Sequence, residues 1–152
     1  MLVELLSANR VLVGATPKDK LALLRIVAEA FVADDQRLSA AEILRVLEDR
    51  ERLASTGAGS GVAIPHGRLG SLAEMRAVLV IIPRGVDFDA IDGDPVTLAV
   101  ALLGPLDQPS AHLKALARVS RTVRDEGIRA ALLAADSVEA VISTLRAQAS
   151  RF

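Results

Sequence analysis

The chain has 152 residues, of which 51% are hydrophobic, and this size is typical of one compact domain with a substantial core. Its 18 basic and 19 acidic residues give a formal net charge of −1, and its only aromatic residues are three Phe, so binding to nucleic acid is not predicted. The chain has no cysteine, which excludes disulfides, thiolate nucleophiles and cysteine-ligated metal centres.

The N-terminal apolar run, Met1–Ser7, contains Glu4 and has no basic residues before it, which is not typical of a signal peptide. The longest apolar stretches, Ala77–Pro83 and Val96–Leu103, are much shorter than the ~20 residues that a membrane-spanning helix requires. The sequence therefore predicts a cytoplasmic protein that does not insert into a membrane.

Four main helices are predicted, because residues typical of helix N-termini are followed by apolar residues at helical spacing. Their starts are Thr16-Pro17, Ser39-Ala40-Ala41-Glu42, Pro109-Ser110 and Asp136-Ser137. A short alanine-rich helix over Ile128–Ala134 is predicted between the last two.

Strands are predicted from short β-branched runs. Ala77–Ile82 and Val96–Leu103 are almost continuously apolar and suit strands that are covered on both faces, and Gly61–Ile64 is a shorter candidate. The combined pattern predicts one α/β domain over residues 1–152, with a central sheet flanked by helices on both faces. The order of the strands does not follow from the pattern.

The segment between the second helix and the first long strand is unusual in composition. Gly57, Gly59 and Gly61 alternate in it, and Pro65-His66-Gly67 closes it. Glycine frees the backbone to adopt positive φ, and successive N–H groups in such a loop can converge on an anion. We expect His66 to lie exposed at a strand end, fixed by Pro65 and approachable because of Gly67.

An imidazole is suited to reversible phosphorylation, since its ordinary pKa of about 6.5 leaves the neutral nucleophile available at pH 7. Phosphoryl transfer also needs positive charge around the phosphoryl oxygens, and Arg50, Arg52 and Arg68 are the nearest candidates in sequence. The only other histidine, His112, follows the predicted N-cap Ser110 and falls in the first turn of a helix, where the helix dipole favours a neutral ring.

Other interpretations of the same residues remain open at this stage. His66 is alternatively an ordinary surface residue, and the glycine-rich segment a tight connection or part of a nucleotide-binding loop, although it lacks the Gly-Lys-Ser/Thr ending of a P-loop. Lys114, Arg118 and Arg121 form a basic stripe that is either a solvated helix face or a binding surface. No metal site or cofactor is predicted, because two histidines without neighbouring carboxylates do not make a ligand set.

The segment from Ser55 to Arg68, Ser-Thr-Gly-Ala-Gly-Ser-Gly-Val-Ala-Ile-Pro-His-Gly-Arg, closely resembles the active-site signature of a known family. These are the type-2 (mannitol/fructose-type) enzyme IIA domains of the phosphoenolpyruvate-dependent phosphotransferase system. Phe88–Val96, Leu102–Pro105 and His112–Leu116 resemble the same family in the same order, so the resemblance covers nearly the whole chain. The Ser-Thr-Gly opening and the Phe-Asp-Ala-Ile-Asp segment are most similar to its nitrogen-regulatory branch.

The resemblance implies a mixed sheet and a set of roles for named residues. His66 would carry the phosphoryl group on Nε2, with His112 and Arg50 completing the active site. Thr56 and the three alternating glycines (Gly57, Gly59 and Gly61) would form a loop that cradles the phosphoryl group. An HPr-like carrier would be the donor, without cofactor or metal.

The resemblance leaves two outputs open. The phosphorylated protein would either regulate kinases or transporters in nitrogen- or potassium-linked control, or pass phosphate to a IIB partner of a fructose/mannitol-type sugar system. The oligomeric state is not predictable from the sequence.

Overall fold

The computed structural model describes residues 2–149 of the chain, which form six α-helices, six β-strands and one 3₁₀ turn at Ala8–Arg10. The helices are α1 Leu2–Leu5, α2 Lys20–Ala33, α3 Ala40–Leu53, α4 Pro109–Arg124, α5 Glu126–Ala134 and α6 Val138–Ala149. The strands are β1 Val11–Val13, β2 Gly57–Gly59, β3 Val62–Ala63, β4 His66–Leu69, β5 Arg76–Val86 and β6 Val96–Pro105. Within the described part of the chain, no helix combines the length and hydropathy needed to cross a bilayer.

The strands form a single mixed sheet in the order β1-β5-β6-β3-β2, with β4 also paired to β6. The two longest strands, β5 and β6, pair antiparallel at its centre. β1 is parallel to β5, β3 and β4 are parallel to β6, and β2 is antiparallel to β3. The mixed strand directions agree with the family resemblance.

Both faces of the central strands are buried, which explains their continuous apolar sequence. Along β5, Val78, Val80 and Ile82 contact the core beneath α2 and α3, while Ala77 and Leu79, like Ile81, contact the core beneath the other helices. β6 alternates in the same way. Successive side chains of a strand point to opposite faces, so the predicted sheet between two helical layers is confirmed.

β3 and β4 lie end to end beside β6 and are separated only by Ile64-Pro65. Val62 is level with Leu98 and His66 with Leu102, so the register continues across the break. Pro65 has no N–H to donate, while its carbonyl accepts from the Leu102 N–H at 2.9 Å. The interruption places His66 at the first position of β4, so it lies at a strand end as predicted, but it starts a strand that was not predicted and is half-buried where an exposed position was expected.

Two predicted helix starts were wrong by a few residues, and a third is confirmed. α2 begins after Asp19, whose carboxylate accepts from the Ala22 N–H at 2.8 Å, and not at Thr16-Pro17. Gln108 and not Ser110 is the N-cap of α4, because Pro109 occupies the first helical position. Ser39 caps α3 as predicted, and its hydroxyl accepts from the Glu42 N–H at 3.2 Å.

The two long strands continue past their predicted ends. β5 runs through the exposed Pro83 to Val86 with a register shift after Ile81, and β6 includes Gly104 and Pro105. The register shift in β5 accommodates a residue that cannot donate to the ladder.

Candidate active site

The half-buried ring of His66 is hydrogen-bonded through both of its nitrogens. Nδ1 lies 2.8 Å from the carbonyl oxygen of Ile64, and Nε2 lies 3.1 Å from Nε of Arg50. A carbonyl oxygen can only accept and an arginine N–H can only donate, so Nδ1 carries the ring proton and Nε2 has the free lone pair. The contacts therefore define a single neutral tautomer with its nucleophilic nitrogen at Nε2.

The Ile64 carbonyl is available to His66 because of the break between β3 and β4. Ile64 lies outside both strands, and its N–H donates to the carbonyl of Thr56 at 2.9 Å. Its carbonyl accepts the hydrogen bond from the imidazole of His66, which is two residues further along the chain.

Arg50 reaches His66 from the last turn of α3. Its Nη1 donates to the carbonyl of Ala54 at 2.9 Å, just beyond the end of the helix, while Nε donates to the imidazole. The guanidinium is therefore held at two points.

Burial lowers the pKa of His66 below its usual value. The bond to the Ile64 carbonyl raises this pKa, the Arg50 charge lowers it, and Glu51 raises it. The net effect lowers the pKa, so the ring is neutral and nucleophilic at pH 7.

His112 lies beside His66, with ring centroids 5.9 Å apart and ring planes at 46°. It is the fourth residue of α4, and its backbone N–H makes an early helical bond to the Gln108 carbonyl at 3.1 Å. The residue is buried, and its Nδ1 is the only buried side-chain nitrogen or oxygen without a hydrogen-bond partner in residues 2–149.

The space for the His112 ring is provided by Gly104 at the end of β6. A β-carbon at this glycine would lie 2.8 Å from Nδ1 of His112 and 3.2 Å from Cε of Met75. In the sequence, Gly104 was noted only within the Leu102–Pro105 segment of the family resemblance, with no role of its own. The buried setting lowers the pKa of His112 to about 4, and the neighbouring His66 and Arg68 lower it in the same direction.

The glycine-rich segment is a β-hairpin and not an open loop. β2 and β3 pair through a turn in which Ser60 has φ of 57° and Gly61 φ of 78°, the mirror-image turn that matches strand twist. Gly59 and Ser60 adjoin Asp92, whose carboxylate accepts from the Ser60 N–H at 2.9 Å. Close to Gly61 lies the side chain of Thr97.

The residues at the base of the hairpin also have partners of their own. Gly57 packs against Ala90 and donates its N–H to the Ser55 hydroxyl at 3.0 Å, whereas Thr56 is buried and bonded to Glu51. A phosphoryl-cradling role for Thr56 and these glycines stays a prediction.

Gly67 has a different role from the one that was predicted. A β-carbon there would lie 2.3 Å from Cγ1 of Val46, so the glycine lets α3 pack closely against β4 and is not a clearance for a partner. The close packing brings the helix that carries Arg50 against the strand that carries His66.

The other predicted basic residues occupy varied positions. Arg52 is exposed and paired with Asp49 at 2.5 Å on its own helix. Arg68 donates to the Leu106 carbonyl at 3.1 Å, and its charge lowers the pKa of His112. The stripe of Lys114, Arg118 and Arg121 is exposed along α4. Residues 2–149 contain no group of three or more His, Cys, Asp or Glu side chains placed to hold a metal ion.

Comparison with known sequences identifies relatives over most of the chain. The family described as "Phosphoenolpyruvate-dependent sugar phosphotransferase system, EIIA 2" matches residues 4–148. A nitrogen regulatory protein of Bradyrhizobium diazoefficiens is 40% identical over 126 residues, which cover 83% of this chain and 81% of that protein. A fructose-specific EIIA component of Haloferax volcanii is 32% identical over 123 residues, covering 81% and 77%.

Solved structures agree with this relationship. The nitrogen regulatory protein IIA-Ntr of Neisseria meningitidis superposes with a TM-score of 0.87 at 31% identity, covering 94% of this chain and 97% of that one. IIA mannitol of Escherichia coli has the same fold, with a TM-score of 0.76 at 23% identity over 92% and 98% of the two chains. The chain therefore belongs to the type-2 EIIA family of the phosphoenolpyruvate-dependent phosphotransferase system and is most similar to its nitrogen-regulatory members.

Proposed function

We propose that the whole chain acts as a single cytoplasmic phosphocarrier domain, which accepts a phosphoryl group on Nε2 of His66 from an HPr-like protein. The observation that carries this proposal is the opposite hydrogen bonding of the two ring nitrogens of His66. A proton fixed on Nδ1 leaves Nε2 as the nucleophile, so the reaction requires no separate base.

The transfer step is a substitution at phosphorus. The lone pair of Nε2 forms the new N–P bond, while the bond from phosphorus to the imidazole of the donor breaks and its electron pair returns to that ring. The proton of His66 stays on Nδ1 throughout and remains hydrogen-bonded to the Ile64 carbonyl. The positive charge that develops on the phosphorylated ring is then partly balanced by the phosphoryl oxygens.

Arg50 and His112 are assigned to stabilise those oxygens. Arg50 exchanges its bond to Nε2 for bonds to the phosphoryl oxygens while Nη1 keeps its contact with Ala54. The ring centroids of His66 and His112 are 5.9 Å apart. A phosphoryl group on His66 can span this separation, because one of its oxygens can accept a hydrogen bond of about 2.9 Å from His112.

Exposed apolar side chains around the site favour a donor that is itself a protein. Large hydrophobic residues that are more than half exposed occur at four described positions, Leu53, Ile91, Leu106 and Leu113. Leu53 is at the end of α3 after Arg50, Leu113 follows His112, and the Leu106 carbonyl accepts from Arg68. Ile91 follows Ala90, which packs on Gly57. Apolar residues grouped around a polar centre are typical of protein-binding surfaces.

We assign the output to regulation, through proteins such as kinases or transporters in nitrogen- or potassium-linked control that distinguish the phosphorylated from the unphosphorylated form. The similarity to nitrogen regulatory proteins supports this assignment. The charge added at His66 would create or abolish contacts by local electrostatics. The second candidate, transfer to a IIB partner of a fructose/mannitol-type system, is favoured by the similarity to the fructose-specific component of Haloferax volcanii.

The phosphoryl acceptor is tested by incubation with phosphoenolpyruvate, enzyme I and an HPr-like carrier. We expect an acid-labile mass increase of one phosphoryl group in the wild type and none in His66→Ala. His112→Ala is the matched control, because it removes the other imidazole and should still be labelled slowly. Labelling of His66→Ala at the wild-type rate would refute the assignment.

The two outputs are separated by presenting the phosphorylated protein with candidate acceptors and partners. Regulation predicts that different proteins are captured by the phosphorylated and unphosphorylated forms, with His66→Ala capturing the unphosphorylated set after either treatment. Sugar transport predicts instead that a fructose/mannitol-type IIB domain removes the phosphoryl group rapidly. Identical captured sets together with rapid transfer to IIB would favour the second candidate.

A further inference from the structure

Glu51 follows Arg50 at the end of α3, and its carboxylate is turned into the protein. Its side chain is only 6% exposed and is paired with Nζ of Lys20 at 2.9 Å. It also accepts from Thr56, whose backbone N–H lies 3.0 and 3.1 Å from the two carboxylate oxygens and whose hydroxyl lies 2.6 Å from Oε2. Charge-assisted bonds of this kind are among the strongest side-chain contacts.

Thr56 passes this constraint to the segment in front of His66. The backbone carbonyl of Thr56 accepts from the Ile64 N–H at 2.9 Å, and the Ile64 carbonyl lies 2.8 Å from Nδ1 of His66. Four sets of hydrogen bonds, joined through the backbones of Thr56 and Ile64, therefore connect Lys20 and Glu51 to the imidazole.

We propose that Glu51 is a positioning residue, which fixes the tautomer and orientation of His66 through Thr56 and Ile64. The inference rests on the proposed function for its importance, since a nucleophile at Nε2 needs the proton kept on Nδ1. Outer partners that orient a reactive histidine are well known at metal sites, where their loss costs about 10-fold to 100-fold in affinity or activity.

Lys20 neutralises the charge of the buried Glu51 carboxylate and also contacts the segment that contains Phe88 and Asp89. Its Nζ also lies 3.3 Å from Asp89 and 4.8 Å from the centre of the Phe88 ring, so α2 is tied to the segment after β5. The Ser55 hydroxyl bonds to the Phe88 carbonyl at 2.9 Å and holds the same segment against the residue before Thr56. Glu51 thus lies where α2, α3 and the base of the hairpin meet.

The decisive measurement is ¹⁵N NMR of the imidazole nitrogens in the unphosphorylated protein, which reports the tautomer directly. In the wild type, we expect the His66 signals of a protonated Nδ1 and an unprotonated Nε2. Glu51→Gln keeps the shape of the side chain but loses the charge and at least one acceptor toward Thr56. We expect this variant to show a mixture of His66 tautomers and to be phosphorylated about 10-fold to 100-fold more slowly.

Asp35→Asn is the matched control, because it is the same change at a carboxylate of similar burial. The Asp35 side chain is 8% exposed and pairs with Arg37 at 2.9 Å and Arg76 at 2.8 Å, with no described bond toward the Thr56–His66 segment. We expect Asp35→Asn to lower the free energy of unfolding and to leave the His66 tautomer unchanged. An equal change of tautomer in both variants would overturn the proposal in favour of general loosening.

Further variants decide the question if Glu51→Gln fails to fold. Thr56→Val removes only the hydroxyl bond to Glu51, whereas Thr56→Ser keeps a hydroxyl group at the same position. Lys20→Met removes the ion pair with Glu51. We expect Thr56→Val to shift the His66 tautomer less than Glu51→Gln does, and Thr56→Ser to keep the wild-type tautomer. Lys20→Met should shift the tautomer in the same direction as Glu51→Gln.

The wild-type tautomer in all of the folded variants would refute the positioning role. Because the NMR measurement needs no phosphoryl donor, this result is independent of whether His66 proves to be the phosphoryl acceptor.

Discussion

The two histidines of the site lie side by side, yet their surroundings differ in kind. His66 has a partner at each ring nitrogen, a carbonyl oxygen on Nδ1 and an arginine on Nε2. His112 is more deeply buried, and its Nδ1 has no partner at all. The ring with two partners is restricted to one tautomer, whereas nothing at Nδ1 fixes the proton of the other.

This difference suits two separate chemical tasks. A nucleophile must present the same lone pair at every encounter, and the Ile64 carbonyl provides this for His66. A group that stabilises charge gains from being able to choose its donor nitrogen when an oxygen arrives. We therefore expect changes at the partners of His66 to affect its reactivity and changes around His112 to affect the stabilisation of the phosphoryl group.

The largest effect is expected when the arginine beside Nε2 is removed. Arg50→Met keeps the length of the side chain and loses all of its donors, so phosphorylation of His66 should slow about 100-fold to 1000-fold, as for loss of an oxyanion-stabilising donor. Phosphorylation is measured by the rate of mass increase with a phosphorylated carrier. Arg52→Met is the control, since Arg52 pairs with Asp49 away from the imidazole; equal rates for the two variants would contradict the role of Arg50.

Replacing the second histidine by an apolar residue should separate function from stability. His112→Leu removes the proposed hydrogen bond to a charged phosphoryl group, so labelling should slow about 10-fold to 100-fold. It also removes a buried nitrogen without a partner, so the free energy of unfolding in urea should stay the same or rise by about 1 kcal/mol. A wild-type rate of labelling would mean that the nearby ring does not assist transfer.

Gly104 provides a way to move His112 without removing it. The added methyl group of Gly104→Ala would lie 2.8 Å from Nδ1, so the ring must shift, and labelling should slow by up to about 10-fold. Adding the same change to His112→Leu should cause no further loss of rate, because coupled sites do not act additively. Gly70→Ala is the control, since its methyl group meets only the end of the Leu106 side chain at 3.3 Å.

The smallest effect on labelling is expected from pH. Burial lowers the pKa of His66, so labelling should start to fall at a lower pH than the range around 6.5 in which an ordinary imidazole becomes protonated. An increase in rate on acidification through pH 6 would contradict a neutral nucleophile.

Protonation of His112 should lower the stability of the folded protein as the pH falls, whereas protonation of a salt-bridged histidine would raise it. The pKa of His112 is about 4 in the folded protein and about 6.5 in the unfolded chain, so the unfolded chain binds the proton first as the pH falls. Stability is therefore complete above pH 6.5 and is lost toward pH 4, by about 2 kcal/mol at pH 5. Urea unfolding at several pH values should show a shallower loss in His112→Leu than in the wild type.

Much of the fold followed from the sequence because its strongest patterns are local. The runs Ala77–Ile82 and Val96–Leu103 are apolar at consecutive positions, and both lie in strands covered on two faces. Helix starts were less certain where two capping arrangements compete, as at Thr16-Pro17 and Asp19. Strand order could not be predicted, because it depends on which distant segments pair with β6.

The candidate site was predictable only as far as its chemistry is visible in one side chain. His66, His112 and Arg50 carry recognisable groups and a family pattern, and the structure brings these three together. The Ile64 carbonyl and the space at Gly104 could not be predicted, because a backbone atom and a missing side chain gain their roles only from tertiary contacts. Glu51 follows Arg50 in the sequence, but its role could not be predicted, because its partners lie on α2 and at the base of the hairpin.

The two-point attachment of Arg50 has a consequence for the entropy of the reaction. A free arginine side chain has about 2 kcal/mol of rotamer entropy, which is lost when it binds an anion. In this protein the guanidinium is already restrained by Ala54 and His66 before any phosphoryl group arrives. In the proposed transfer, binding of the phosphoryl group would exchange one contact for another instead of ordering a mobile side chain, so more of the interaction energy would be available to the transition state.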